Sequence, residues 1–362
     1  MNGERLRQAR ELCGFRQQEL AELAGIAQSA IAQMEAGMFQ PSEELALSLA
    51  RHTGFDLAFL NKPESPGEFP VGSLLYRSKS RVSPRDKTKA HRMAQMVFEM
   101  AVSLRAKFRP IPVTLPRLNN EMPIEAARIA RSQLALSPDT PIQNLTAVLE
   151  RAGVLIFRIP LNVDGLDGFS AWVGKDRDIP IICLVGSSVG YRSRYTIAEE
   201  TGHLLMHSPL RVTVEQAEKE VKPFVGEFLL PEEAMRRELC PPVTLGSLAQ
   251  LKPRWGASIQ FLAARSSELG LTTANQYKYL MQQVSSRGWR TAKSEPGDAA
   301  IPQETPQLLL RVIQATYGDP VDLKRARREL GLPMWLVREI ALAHGVSEMV
   351  QSTLLEMPSR RF

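Results

Sequence analysis

Residues 199–207 read Glu-Glu-Thr-Gly-His-Leu-Leu-Met-His. The pattern H-E-x-x-H sets two histidines four apart on one helical face as zinc ligands, with the glutamate beside the first as general base. In this chain Glu200 holds the base position and His203 the second-ligand position, but Glu199 stands where the first histidine belongs. His203 and His207 repeat the spacing, yet Leu204 fills the place where that register needs its glutamate. These are the residues of a metal hydrolase with one ligand changed. The change favours a former enzyme kept as a binding module over a working one. His207 also has a plainer reading, as a helix-end side chain over the core.

Such a helix, Thr196–His207, has to lie on a scaffold, and the chain before it supplies one. Val154–Ile159, Gly168–Val173 and Pro180–Val185 are short, β-branched runs that predict strands, preceded by helices over Ile124–Leu136 and Ile142–Ala152. After Pro231 the apolar spacing turns helical through Thr244–Leu251, Ser258–Leu269 and Ala274–Ser285, with Gly270 and Gly288 as stops. Lys293–Pro306 is rich in proline, alanine and charge and reads as a linker. A small helical unit follows over Gln307–Thr316, Leu323–Leu330 and Pro333–His344. Lys324, Arg325, Arg327 and Arg328 give it a basic edge, but its tip lacks Gln, Ser or Asn, which favours packing or dimerisation over DNA reading. Met349–Phe362 is expected to fray. The expected fold class is α+β, mostly α.

The chain's 362 residues suffice for two or three domains, and a hydrophobic content of 44% suits a globular protein. Cys13, Cys183 and Cys240 lie far apart and form no CxxC pair, which argues against a disulfide framework or thiolate zinc site and suits a reducing cytoplasm. The first residues enter an amphipathic helix with no apolar leader, and no run of about 18 apolar residues occurs. A cytoplasmic protein with no membrane partner is expected.

In residues 1–62 apolar side chains recur at helical spacing through Leu6, Ala9 and Leu12, then Leu20, Leu23 and Ala24, then Ile31 and Met34, then Leu45 to Ala50. Gly25-Ile26-Ala27 is the short glycine-led turn that a helix-turn-helix needs. The stretch from Gln17 to Gly37, followed by Pro41-Ser42, closely resembles the Xre/Cro-type DNA-binding family. The resemblance implies that Gln17 opens the second helix at a phosphate, and that Gln28, Ser29 and Gln33 reach base edges from the recognition helix. It further implies an internal Arg10–Glu35 ion pair, a double-stranded DNA operator and a homodimer on two half-sites. Ala27 replaces the usual capping serine, a loss of ~1 kcal/mol.

This head carries 6 Lys/Arg against 8 Asp/Glu, so its own attraction for phosphate is weak. Asn61–Pro70 reads as a proline-rich linker. The missing charge comes next: residues 71–117 hold eleven Lys/Arg, among them Arg77, Lys79, Arg81, Arg85, Lys87, Lys89 and Arg92, against Asp86 and Glu99. They precede and enter a helix through Met93, Val97, Met100, Ala101 and Leu104. Such a run is either a solvated face or a source of phosphate contacts for the acidic head, with Lys87 and Lys89 the candidates.

The middle of the chain resembles ImmA/IrrE-type metallopeptidases. The matching stretches are Asp167–Ser170, Arg194–His207, Glu218–Pro231 and Leu251–Ser258. The resemblance implies a zincin-like mixed α/β domain in which a second helix supplies a third metal ligand from E-x-x-x-D/N. Glu218 fits the ligand position, with Glu220 as substitute, and Lys222 stands where the acceptor orienting a histidine should be. An ammonium cannot accept an imidazole N–H. Lys222 is instead placed to pair with Glu199 or Glu218 where metal once bound. A Glu199, His203, Glu218 set, with His207 and Glu220 in reserve, favours harder ions or weaker zinc. No cofactor is therefore expected, or zinc if the altered site still binds metal.

The organisation read from the sequence is a helix-turn-helix at 1–62, a linker and basic helix at 63–117, a metallopeptidase-like domain at 118–240 and a helical extension at 241–292. A linker at 293–306, a helical unit at 307–348 and a tail at 349–362 complete it. This architecture implies a transcriptional regulator, in a toxin–antitoxin or prophage setting, with a toxin or repressor protein as partner. The alternative is an active zinc endopeptidase that cleaves a repressor, with Glu200 as its catalytic base.

Overall fold

The computed structural model describes residues 1–63, 83–107, 112–159, 163, 165–186, 189–207, 212–290, 295–333, 335–337 and 340. Most of the 61–70 linker, the cations Arg77, Lys79 and Arg81, most of the helix expected after Pro333 and the 349–362 tail lie outside the described residues.

The head consists of α1 (Gly3–Leu12), α2 (Gln17–Ala24), α3 (Gln28–Glu35), α4 (Glu43–Thr53) and the short α5 (Leu57–Asn61). Gly25 ends α2 at φ +68°, a left-handed conformation that glycine adopts without Cβ strain. Leu6, Leu20, Ala21, Ile31, Met34 and Leu49 form its inner core. Ala9, Leu12, Ala50, Phe55, Phe59 and Leu60 face the other way, into a larger core shared with the rest of the chain.

That shared core is organised by α6 (Pro84–Lys107), whose buried Met93, Val97, Met100, Ala101 and Leu104 are the residues the spacing marks. The middle domain contributes α7 (Pro123–Gln133), α8 (Leu145–Arg151), then β1 (Leu155–Ile159), β2 (Gly168–Val173) and β3 (Ile179–Val185). The strands form one sheet in the order β1-β3-β2, with β1 parallel to β3 and β2 antiparallel to it. The period-two alternation of a strand divides its residues between two cores. Phe157, Phe169, Ala171, Ile181 and Cys183 face α6, while Ile156, Ile182 and Leu184 face α9 (Gly190–Met206) and the helices around it. So α6 is not an appendage between domains. It covers the back of the sheet with one side and carries the head on the other.

Two sets of ion pairs lock the head onto α6. Arg5, almost fully buried, reaches Glu99 at 2.8 Å, and Arg92 reaches Glu4 at 2.7 Å and Glu11 at 2.6 Å. Part of the basic run therefore neutralises the acidic head from behind. Arg92 is held above the ordinary arginine value: burial opposes this, but the Glu11 and Glu4 carboxylates outweigh it.

The remaining helices are α10 (Val214–Leu229), α11 (Glu232–Glu238), α12 (Leu245–Trp255), α13 (Ile259–Glu268), α14 (Ala274–Ser286), α15 (Leu308–Tyr317) and α16 (Leu323–Leu330). The stretch read as a linker is, over 295–306, held down along the domain by charged contacts, and α15 packs on β1.

Candidate functional site

In the head, Gln28, Ser29 and Gln33 are exposed while Gln17 is partly covered. Arg10 Nε lies 2.5 Å from Glu35 Oε1 and its Nη2 3.0 Å from Oε2, which is the ion pair the resemblance implies. Gln17 Nε2 donates to the same Glu35 carboxylate at 2.8 Å, and Gln28 Nε2 donates to Gln17 Oε1 at 2.7 Å. A carboxylate only accepts, so Glu35 dictates which way each amide faces. Gln28 keeps its carbonyl oxygen and one N–H for an outside partner. The α3 N-terminus lacks a side-chain cap at Ala27, as the sequence predicts.

The cations of α6 divide in two. Arg85 is exposed and reaches Glu19, in the first turn of α2, at 3.5 Å. Lys87 and Lys89 lie on the next turn, half-buried. They stand at the end of α6 nearest the N-terminus of α2, where helix-turn-helix proteins meet phosphate.

In the middle domain α9 carries Glu199, Glu200 and His203 beneath a cleft of about 430 Å³. Asp167, Tyr191, Arg192, Tyr195, Glu199 and Glu218 line it, and the Gly256–Ser258 turn closes one side. Gly202 sets the depth, since a Cβ there would come within 2.7 Å of Phe224 and 2.9 Å of Val221, so only glycine lets α10 approach this closely. Arg192 pairs with Asp167 at 2.7 Å, and the Tyr195 and Phe261 rings meet edge to face at 5.1 Å. Burial and the Glu295 and Asp298 carboxylates push the Tyr191 hydroxyl up to about 12.

Residues expected to bind metal are brought near one another, and several of them pair among themselves. His203 Nδ1 lies 2.8 Å from His207 Nδ1, and His207 Nε2 lies 3.2 Å from Glu220 Oε2. Because the carboxylate accepts, His207 donates through Nε2 and, as a neutral ring, accepts from His203 at Nδ1. Burial lowers the His207 pKa, against the pull of Glu220, in keeping with a neutral ring. His203 Nε2 then faces Glu218 Oε1 at 3.7 Å. That pair is two donors where zinc takes at least three from protein. Among the described residues no three His, Cys, Asp or Glu side chains are grouped to hold a metal ion. Glu200, 2% exposed, accepts from Ser170 Oγ at 2.8 Å and does not line the cleft. Lys222 is exposed on α10, not a buried counter-ion for Glu199 or Glu218.

Residues 6–60 match the helix-turn-helix model, and residues 149–267 match the IrrE N-terminal-like domain. The chain joins a helix-turn-helix head to an IrrE-like domain. No curated protein matches it. Among the described residues no helix is long and apolar enough to cross a membrane.

Sequence reasoning passes over several residues of the IrrE-like cleft. Tyr191 and Arg192 precede the helix start expected at Thr196, whereas α9 begins at Gly190. Ser170, Arg194 and Lys252 sit inside the matching stretches without a role assigned. Ser170 stands out as a polar side chain in an apolar run, but only the fold reveals what each of the three meets.

Proposed function

We propose that this chain is a DNA-binding transcriptional regulator, acting as repressor or antitoxin, whose IrrE-like cleft binds a partner without hydrolysing it. The reading rests on one contrast. The recognition residues are exposed and oriented by a buried ion pair, while Glu200 lies buried against Ser170 and His203 bonds to His207. The partner is a toxin or repressor protein, the chain acts in the cytoplasm, and two copies bind two half-sites of an operator. Operator selection from random duplexes with the full chain tests the first half. Metal analysis of protein purified without chelator, with Glu200→Gln alongside, tests the second. Zinc well below one per chain and unchanged DNA binding by Glu200→Gln are expected. Stoichiometric zinc, with cleavage of a protein substrate lost in Glu200→Gln, overturns the non-catalytic reading.

A further inference from the structure

The stretch from Glu295 to Leu308 holds to the IrrE-like domain mainly through charge. Lys252 of α12, with no exposed surface, donates to Glu295 Oε2 at 2.7 Å and to Asp298, and its ammonium sits 4.4 Å over the Tyr191 ring. Glu295 also accepts from Ile259 N at 2.9 Å, at the start of α13. Further along, the carbonyls of Ile301 and Pro302 close on Gly190, where a Cβ would come within 2.1 Å of the Ile301 oxygen. Glu304 then pairs with Arg194 of α9 and accepts from Leu145 N at 3.1 Å and Thr146 N at 2.7 Å, capping α8. Its own carbonyl accepts from Arg158 of β1 at 2.9 Å. Glu150 receives the far end, accepting from Gln307 N at 2.9 Å and Leu308 N at 2.7 Å where α15 begins.

The two ends of this strap meet different parts of the molecule. Tyr191 lines the cleft, and Arg194 presses on the cleft wall at Gly256, where a Cβ would lie 2.5 Å from its Nε. The other end leads into α15 and α16, which reach the head. Gly331 lies against Phe59, Trp335 against Gly54, and Arg327 Nε is 3.9 Å from Asp56. Between Glu295 and Pro306 the only buried residues are Glu295, Ile301 and Pro306, so apolar area contributes little and the charged anchors set the hold.

We infer that residues 295–308 are a latch that couples the cleft helix α9 to the DNA-binding head through α15 and α16. This rests on the reading of the chain as a regulator, since it names the route by which an occupant of the cleft alters DNA binding. An occupant that displaces the first turn of α9 moves Arg194, and Arg194 moves Glu304. The bracing of the head by α16 then changes without any change in the head's own core.

Amide hydrogen exchange on the full chain tests the latch without DNA. In Glu304→Gln, exchange should quicken about tenfold or more in Leu308–Tyr317, Leu323–Leu330 and Leu57–Asn61, because a buried charged acceptor is lost. It is read away from α8, which Glu304 caps directly. Ala274–Ser286, which the strap does not touch, should keep its wild-type protection. A rise confined to 295–306, or one spread equally over Ala274–Ser286, overturns the latch. Should Glu304→Gln fail to fold, Glu150→Gln cuts the α15 end and carries the same expectation. A chain that selects no operator would remove the regulatory reading, while the exchange pattern would still decide the latch.

Discussion

Two polar networks in this molecule begin alike and end differently. In the head, Arg10 and Glu35 are buried together, and the hydrogen bonds run outward through Gln17 to an exposed Gln28. In the IrrE-like domain the bonds run from His203 to His207 and then to Glu220, while Glu200 turns to Ser170 inside the fold. The first network delivers oriented donor and acceptor groups to whatever lies outside. The second turns one oxygen of Glu200 and one nitrogen of His203 to neighbours inside the fold. A motif's residues keep their chemistry only if the fold leaves their working atoms aimed at a common point.

The largest effect expected from breaking this contrast lies at its buried end. Arg10→Met removes the bidentate partner of Glu35, whose side chain is only 4% exposed, and leaves it Gln17 and the more distant Arg7 at 4.0 Å. It should destabilise the head by about 3–5 kcal/mol, read from urea unfolding. A loss well under 1 kcal/mol would mean that Glu35 is already neutral or solvated. At the exposed end, Gln28→Ala should cost about 1–3 kcal/mol on the selected operator and leave non-specific binding nearly unchanged. Equal loss on all sequences would make Gln28 a positioning group. Replacing Lys87 and Lys89 together by Ala should do the converse, flattening the salt dependence by up to about two phosphate equivalents at constant sequence preference. An unaltered slope returns them to a solvated face.

The smallest effect tests the joint between the regions. His91 on α6 has its pKa lowered by burial and by Arg92, against Glu11 and Glu4. The folded state thus favours the neutral ring, so this stability is complete above the ordinary value of 6.5 and is lost as pH falls through the lower folded value. His91→Gln should flatten the pH dependence of unfolding below 6.5. An identical slope in the variant would place the acid sensitivity elsewhere, His207 being next since its shift has the same sign.

Much of the head was legible in the residues. The glycine turn, the apolar register and the Arg10–Glu35 pair are local or nearly so, and each recurs in the fold. The three strands stand within a residue of their expected bounds, because β-branched runs bounded by turns carry their own signal. The altered metal site was legible as a list of residue types and not as a geometry. Whether Glu199, His203 and Glu218 converge depends on how α9 and α10 cross, which is set by Gly202 against Phe224. Composition misled at 293–306. Proline and charge mark exposed backbone, but there the charges of Glu295 and Glu304 are consumed by Lys252 and Arg194, far away in sequence.

The sequence by itself determined which elements form and which chemical groups they carry, because helix period, strand alternation, caps and turn glycines act over a few residues. Tertiary structure alone decided three things. It placed α6 between the head and the sheet, since an amphipathic helix says that it must be covered but not by what. It turned His207 and Ser170 into partners for the would-be hydrolase groups, since hydrogen bonds follow atomic positions and not residue order. And it drew the strap across the cleft helix to the head, because buried charges find their counter-ions in space, and no spacing along the chain announces which they will be.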